Sequence, residues 1–326
     1  MANCKLQIAN RSIRLGIVGT NFVSDWLAEC AALTDGIEVT AVYSRKEESG
    51  KAFAEKHGIT AVYTDYGEFL ASDIDAVYIA SPNCCHFDQT EKAMRNGKHI
   101  LCEKPATVTE AEFTRLCNIA REENVVFLEA MRPAHDPVME AVRSSLGKLG
   151  TLRRAVFEFC QYSSRYDRFK SGEILNAFNP KLGNAAVMDI GVYAIEACVM
   201  LFGEPDKVYS DSLYLDNGFE GMGNAKLCYG DFTAEIVYSK IYDSVSPSYI
   251  SGEGGSITIG KISTGENVSV KLRGKEAVPL GHDRPENNMV YEIEDFVKAV
   301  RGELDCRKFH EYTRITLGII EKILKK

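Results

Sequence analysis

The 326 residues carry 38 Lys and Arg against 46 Asp and Glu, a formal net charge of −8. That balance leaves no basic excess to displace counterions from nucleic-acid phosphates, and apolar residues nowhere run long enough to span a bilayer. The length exceeds one ordinary core and suits two domains of common size.

Residues 12–132 alternate short apolar strands with helical segments, the pattern of a parallel sheet covered on both faces. Strands are expected at 13–18, 38–43, 76–80, 99–102 and 125–129, with a weaker one at 61–63. Phe22, Val23, Trp26, Leu27 and Cys30 recur at helical spacing, which predicts a helix with Trp26 in the core rather than against a ligand. Gly58 and Gly97 are expected to end helices, and Thr109 with Glu112 to open one as a capping box.

Beyond Arg132 the pattern changes. Pro133 and Pro137 punctuate a linker, a short helix follows to Leu146, and strand-like runs then dominate at 152–162, 207–215, 225–229, 232–239, 256–259 and 268–272. Turn signals such as Tyr229-Gly230-Asp231 suit antiparallel pairing, and helices return at 288–301 and at the C-terminal end. Arg153-Arg154 reads as a solvated strand edge rather than a binding patch. The expected fold is α/β: an N-terminal Rossmann dinucleotide-binding domain (12–132) and a C-terminal α+β domain (133–326) with a large, mainly antiparallel open sheet. Leu227, Tyr229, Phe232, Ala234 and Ile236 mark a sheet face expected to be covered by a second subunit, since such a face left exposed invites association.

Ten cysteines could signal disulfides or zinc, yet no C-x-x-C spacing occurs. Cys30, Cys117, Cys160 and Cys198 fall within apolar patterns and read as small buried hydrophobes in a reducing compartment. Cys84-Cys85 beside His86 is the one cluster worth weighing as a metal or redox site, but no second ligand pair follows, and no metal is expected. Residues 1–11 hold no apolar h-region, so a cytoplasmic protein is expected.

The chemistry-bearing residues lie at predicted strand and helix ends. Gly19, Asn21 and Ser24 occupy the three positions of a G-x-G-x-x-G fingerprint, so one glycine of three remains. Asn tolerates the left-handed conformation, which keeps the turn feasible, and the helix amides beyond it would face a pyrophosphate. The second strand ends in Ser44-Arg45-Lys46, where a free ribose 2′-hydroxyl would favour an acid. A hydroxyl, a guanidinium and an ammonium suit a 2′-phosphate instead, so NADP(H) is the expected cofactor, with NAD(H) the alternative. Glu103-Lys104-Pro105 ends a later strand at the same carboxyl edge. Asp189 and Tyr193, four apart in an expected helix, share a face. Taken singly, these are also an ordinary surface lysine, a solvated basic loop, a helix-start acid and a half-buried tyrosine.

In this order and at these separations, residues 13–23, Glu103-Lys104-Pro105 and Gly183 to Tyr193 resemble the glucose-fructose oxidoreductase, inositol dehydrogenase and MocA (Gfo/Idh/MocA) family of NAD(P)-dependent oxidoreductases. The tyrosine at 193 is similar to the subset with glucose-fructose oxidoreductase and dihydrodiol dehydrogenase. The resemblance implies hydride transfer between nicotinamide C4 and a carbinol or carbonyl carbon of a sugar, polyol or vicinal diol. Tyr193 would be the acid/base, Lys104 would lower its pKa, Asp189 would orient substrate or Lys104, and Glu103 would fix the lysine. Ser81-Pro82-Asn83 and His86 would border the pyrophosphate and nicotinamide ribose. Thr20, Phe22, Val23 and Arg132 are counted with the cofactor contacts, and Tyr162, Arg165 and Tyr166 with the substrate cleft. Asn184 and Asn176 depart from the family pattern. The resemblance also implies a homodimer or homotetramer. A second reading is a non-catalytic NAD(P)-binding sensor, since family relatives include a regulator; such a protein has no need to keep Lys, Asp and Tyr together.

Overall fold

The protein, described by a computed structural model over residues 11–281 and 284–325, forms two compact units. The N-terminal stretch expected to lack a leader falls, up to residue 10, outside the described residues. The first unit runs to Met131 and is joined by Pro285–Glu311; the second holds Arg132–Arg284 and the chain from Tyr312 onward.

In the first unit the order is β1 (Ile13–Val18), α1 (Phe22–Ala31), β2 (Ile37–Tyr43), α2 (Glu47–His57), β3 (Ala61–Tyr63), α3 (Tyr66–Ala71), β4 (Ala76–Ile79), α4 (Asn83–Arg95), β5 (His99–Glu103), α5 (Glu110–Glu122) and β6 (Phe127–Ala130). The strands pair in parallel in the order β3-β2-β1-β4-β5-β6. Their apolar runs are buried on both faces, as helical crossovers on either side require. The order reverses between β1 and β4, which opens a crevice at the carboxyl ends of those two strands.

Local signals mark the helix ends with small shifts. Gly58 caps α2 in the left-handed region at φ 69°, whereas α4 stops at Asn96 with Gly97 one residue beyond. Thr109 Oγ1 accepts from the Glu112 amide at 3.2 Å, but Glu112 Oε2 accepts from the Val108 amide rather than from Thr109. Trp26 overturns its expected burial: it is 42% exposed, edge-on to the half-exposed Phe22 at 5.1 Å. The buried stripe of α1 is instead Ser24, Leu27, Ala28 and Ala31, with Cys30 beside it. Small side chains on that stripe let the helix lie close on the sheet, which turns the bulky pair outward.

The second unit begins with α6 (Arg132–His135) where a linker was expected, and the short helix expected to run to Leu146 follows as α7 (Pro137–Ser145). Pro137 sits in the first turn, where its missing amide leaves no bond unmade, and Asp136 caps the helix by accepting from the Val138 amide at 3.0 Å. Then come β7 (Leu152–Cys160), α8 (Tyr166–Lys170), a π-helical turn Val187–Gly191, α9 (Val192–Phe202), β8 (Lys207–Tyr214), β9 (Glu220–Tyr229), β10 (Phe232–Ser239), β11 (Ser248–Gly252), β12 (Gly255–Lys261), β13 (Glu266–Leu272) and β14 (Ala277–Pro279). Of the closing helices, α10 (Met289–Val300) packs on α1 in the first unit, and α11 (Arg307–Leu324) ends the described chain.

The sheet order is β14-β13-β12-β11-β7-β10-β9-β8, antiparallel throughout except for the β7–β10 pair. Arg153 and Arg154 therefore lie on an interior strand, not an edge, exposed and paired with Glu253 at 2.5 Å and Glu235 at 2.6 Å. Strands β11 and β14 were not anticipated. β11 is Ser-Tyr-Ile-Ser-Gly, whose small polar residues hide a single inward Ile250.

The expected association face is corrected. Leu227, Ala234 and Ile236 are fully buried within the chain on the side where α9 packs, and Tyr229 and Phe232 stack at 5.1 Å beside Phe202 of α9. The alternate residues point the other way. Tyr209 of β8, Lys226 of β9 and Glu235 of β10 stand in register on that outer face, with Tyr209 57% and Leu213 48% exposed. No described helix is long and apolar enough to cross a membrane.

Candidate active site

In the first unit, β1 delivers the chain to Gly19 at φ 103°, where a Cβ would stand 2.8 Å from the Ala80 carbonyl oxygen. Only glycine fits, because both the dihedral and the neighbouring backbone exclude a side chain. Asn21 corrects the expectation of a left-handed turn. It is extended, at φ −90° and ψ 175°, and caps α1: Oδ1 accepts from the Val23 amide at 2.8 Å and the Ser24 amide at 3.2 Å, while Nδ2 donates to Ala80 O at 2.7 Å. An asparagine thus ties the turn to β4 where the fingerprint has glycine. The cap occupies two first-turn amides, so attraction for an anion rests on the helix dipole and the backbone of Gly19 and Thr20. Ser24, at the third fingerprint position, is buried, and its hydroxyl has no partner among the described residues. A glycine without room for Cβ at the switch point of a parallel sheet fits a dinucleotide.

At the end of β2, Ser44 is buried and its Oγ accepts from the Lys46 amide at 3.3 Å, which leaves Arg45 and Lys46 exposed side by side. At the end of β4, Ser81 donates to Gln89 at 2.6 Å, and Pro82 and Asn83 lead into α4. His86 is 1% exposed, with Nδ1 2.9 Å from Pro105 O and Nε2 2.8 Å from Ser81 O. Burial pushes its pKa down, against the pull of the two carbonyls. The ring joins the turn after β4 to the turn after β5 and reaches a ligand only through them.

β5 ends at the cis peptide Lys104-Pro105, with Lys104 half-buried. Glu103 accepts from the buried Tyr78 hydroxyl at 2.5 Å and from the Lys104 amide at 3.2 Å, and Glu129 Oε1 accepts from the Ala106 amide at 2.7 Å. Two carboxylates and a phenol from three strands therefore brace the backbone around Lys104. Tyr78 and Glu129 carry no sequence signal of this, since both read as ordinary strand residues.

In the second unit, Asp189 lies within the π-helical turn and Tyr193 is the second residue of α9, its ring 5.8 Å from Phe159. A widened turn of this kind often sits at functional positions, and here it has identifiable causes. A Cβ on Gly191 would stand 2.9 Å from the Tyr238 ring, and the buried Glu220 accepts from the Val187 amide at 2.9 Å. Burial pushes the Glu220 carboxyl up, while hydrogen bonds from Tyr238, the Val187 amide and Ser212 work against that shift. Asp189 Oδ2 is 2.5 Å from Lys240 Nζ. Glu220, Tyr238 and Lys240 carry no sequence signal beyond being polar residues in or beside strands.

Other expected residues are placed more peripherally. Tyr162 donates to Asp167 at 2.6 Å and packs edge-on to Tyr166, and Arg165 is exposed ahead of α8. Asn184 Nδ2 donates to Asn176 O at 2.7 Å, so the two departures from the family pattern touch each other. Arg132 opens α6, half-buried. The Cys84 and Cys85 sulfurs lie 3.8 Å apart, with burial pushing the Cys85 thiol up; no group of three His, Cys, Asp or Glu among the described residues could hold a metal.

The profile of the oxidoreductase family with an NAD-binding Rossmann fold, GFO_IDH_MocA, matches residues 13–131, and that of the GFO/IDH/MocA C-terminal domain matches residues 140–258. The chain is 42% identical over 321 residues to scyllo-inositol 2-dehydrogenase (NADP(+)) IolU of Bacillus subtilis, covering 94% of this chain and 98% of that one. It is 29% identical over 311 residues to the trans-1,2-dihydrobenzene-1,2-diol dehydrogenase of Mus musculus, covering 90% of each. The solved structure of KijD10, a 3-ketoreductase from Actinomadura kijaniata in complex with NADP and TDP-benzene, shares the fold at a TM-score of 0.84 and 24% identity, covering 97% of this chain and 98% of that one.

Proposed function

The chain belongs to the Gfo/Idh/MocA family of oxidoreductases, and from that premise we propose that it is an NADP(H)-dependent dehydrogenase of a cyclic polyol or related sugar. The observation that carries this reading is the 42% identity to a scyllo-inositol 2-dehydrogenase along nearly all of both chains. When bound, the nicotinamide supplies or accepts the hydride. The protein's own residues manage the rest. Gly19 leaves space for a pyrophosphate beside the turn, and Arg45 with Lys46 offers a donor fork and a point charge to a 2′-phosphate. Tyr193 donates the proton to the substrate oxygen in reduction and removes it in oxidation. A phenol ionises near pH ~10 unaided, so the positive charge of Lys104 serves to favour the phenolate. Asp189 accepts hydrogen bonds from substrate hydroxyls.

A second copy of the chain covering the outer face around Tyr209 and Leu213 makes the working form a homodimer or homotetramer. The cysteines, unbridged among the described residues, suit a cytoplasmic, reducing setting.

The test is NADPH oxidation with a panel of inososes, aldoses and vicinal diketones. Turnover is expected with a polyhydroxylated cyclic ketone, faster with NADPH than NADH, and Arg45→Ala is expected to erase the cofactor preference. Tight NADPH binding with no turnover of any substrate would replace this reading with the sensor. A monomer mass in sedimentation at micromolar concentration would refute the assembly.

A further inference from the structure

Asp189 meets a cation within its own unit, and that cation is built into the fold. Lys240 follows β10 directly; its amide donates to Gly221 O at 2.9 Å and its carbonyl accepts from the Ser163 amide at 3.0 Å. The ammonium group donates to Asp189 Oδ2 at 2.5 Å and to Ala177 O at 3.2 Å, and it lies 5.1 Å and 5.6 Å from the ring centroids of Phe178 and Phe219. The pair is asymmetric: the Lys240 side chain is 6% exposed, the Asp189 side chain 42%. A buried cation against aromatic faces and a carbonyl is costly to install, and apolar replacements of buried ion pairs are often no less stable. Fold stability by itself therefore gives little reason for a lysine here.

We propose that Lys240 is a positioning residue for proton transfer: it holds Asp189 as a fixed carboxylate and offsets its charge, so that Tyr193, one turn on, titrates beside a neutral pair. The inference rests on the reading of Tyr193 as the acid/base. Without Lys240 the Asp189 carboxylate loses the compensation and the hydrogen bond this ammonium gives it, and its charge opposes formation of a phenolate on the next turn more strongly. Cofactor affinity depends on residues of the other unit and is untouched.

The experiment compares pH profiles of kcat/KM, substrate KM and NADPH affinity in Lys240→Met, Lys240→Arg, Asp189→Asn and the Asp189→Asn/Lys240→Met double variant. In Lys240→Met the apparent pKa of the acid/base should rise by on the order of one unit and substrate KM should increase, with NADPH affinity unchanged. Lys240→Arg keeps the charge and should stay near the parent profile. Asp189→Asn leaves the cation uncompensated and should shift the pKa down, and the double variant should return toward the parent. A purely structural ion pair predicts no such opposed shifts. A folded Lys240→Met with the parent pH profile overturns the inference, as does Lys240→Arg shifting like Met; should Lys240→Met fail to fold, an unshifted Asp189→Asn overturns it equally. Tyr193→Phe separates the two levels. Normal turnover in that variant overturns the acid/base reading and this inference together, whereas loss of turnover in Tyr193→Phe with no shift in Lys240→Met overturns this inference alone.

Discussion

At the end of β1 the protein shapes its turn with backbone: a glycine at φ 103° against the Ala80 carbonyl, and an asparagine that caps α1 while bonding the residue after β4. In the π-helical turn before α9 it uses buried side chains instead, with Glu220 on the Val187 amide, the Tyr238 ring against Gly191 and Lys240 on Asp189. The two regions should fail differently. The first tolerates no added atoms, because its constraint is space. The second tolerates no removed charges, because its constraint is electrostatic compensation in a poorly hydrated setting.

The sharpest test of that separation is Tyr193→Phe, which deletes one oxygen. Turnover should fall by about 10²- to 10⁴-fold, while fluorescence titration shows NADPH affinity unchanged. On the proposed pairing of Lys104 with Tyr193, adding Lys104→Met should cost less than the product of the two single losses, since groups serving one proton transfer are not additive. A matching fall in NADPH affinity in Tyr193→Phe would break the comparison.

Next in size, Glu220→Ala should destabilise the protein by about 1–3 kcal/mol in urea unfolding, because the buried Val187 amide loses its acceptor. Glu220→Gln, which keeps an acceptor, should be milder. Burial raises the Glu220 pKa, so its ionisation weakens the fold as pH rises from the unfolded value through the folded one. The glutamine variant should therefore gain on the parent with increasing pH across that window.

The backbone counterpart is Gly19→Ala. Its strain should cost about 1–3 kcal/mol and weaken NADPH binding, measured by thermal unfolding with and without cofactor. Were Gly19→Ala harmless and Glu220→Ala severe, space would not be what holds the first region.

The smallest effect is expected at Asp75, just ahead of the amino end of β4. Burial raises its carboxyl pKa, but hydrogen bonds from Arg11, Arg14 and the Arg14 amide outweigh that and hold it well below the usual range. Its stabilisation is present above the unfolded carboxylate pKa of about 3.9 and is lost as pH falls through the lower folded value. Asp75→Asn should lower Tm by about 2–4 °C at pH 7, and the gap to the parent should begin to narrow below about pH 4 and close only once the pH has fallen past the lower folded value.

Much of the first unit was legible because its signals are local. β1 and β3 fall at the expected residues, and the later strands of that sheet shift by only one or two, since an apolar run ending in a turn residue identifies itself. Lys104 was legible as the residue after such a strand. Trp26 was not, because Phe22, Val23, Trp26, Leu27 and Cys30 and the stripe Ser24, Leu27, Ala28 and Ala31 are both helical patterns, and only the sheet beneath selects between them. In the candidate site, Asp189 and Tyr193 were legible as a pair four residues apart. The widened turn that carries Asp189 was not, since its causes lie more than twenty residues away in sequence, at Glu220 and Tyr238.

By itself the sequence determined the alternation of strand and helix, the glycine turn at Gly19, the absence of an acid after β2 and the lysine after β5. Each of these is a property of neighbouring residues, written in periodicity, turn chemistry and charge. Only the tertiary structure decided that Asn21 caps a helix rather than entering the left-handed region, that α9 covers Leu227 and Ile236 so that Tyr209 and Leu213 form the outer face, and that Lys240 lies against Asp189. These depend on which face of a sheet a distant helix covers and which distant charge a carboxylate meets, and long-range packing sets both while leaving local residue patterns unchanged.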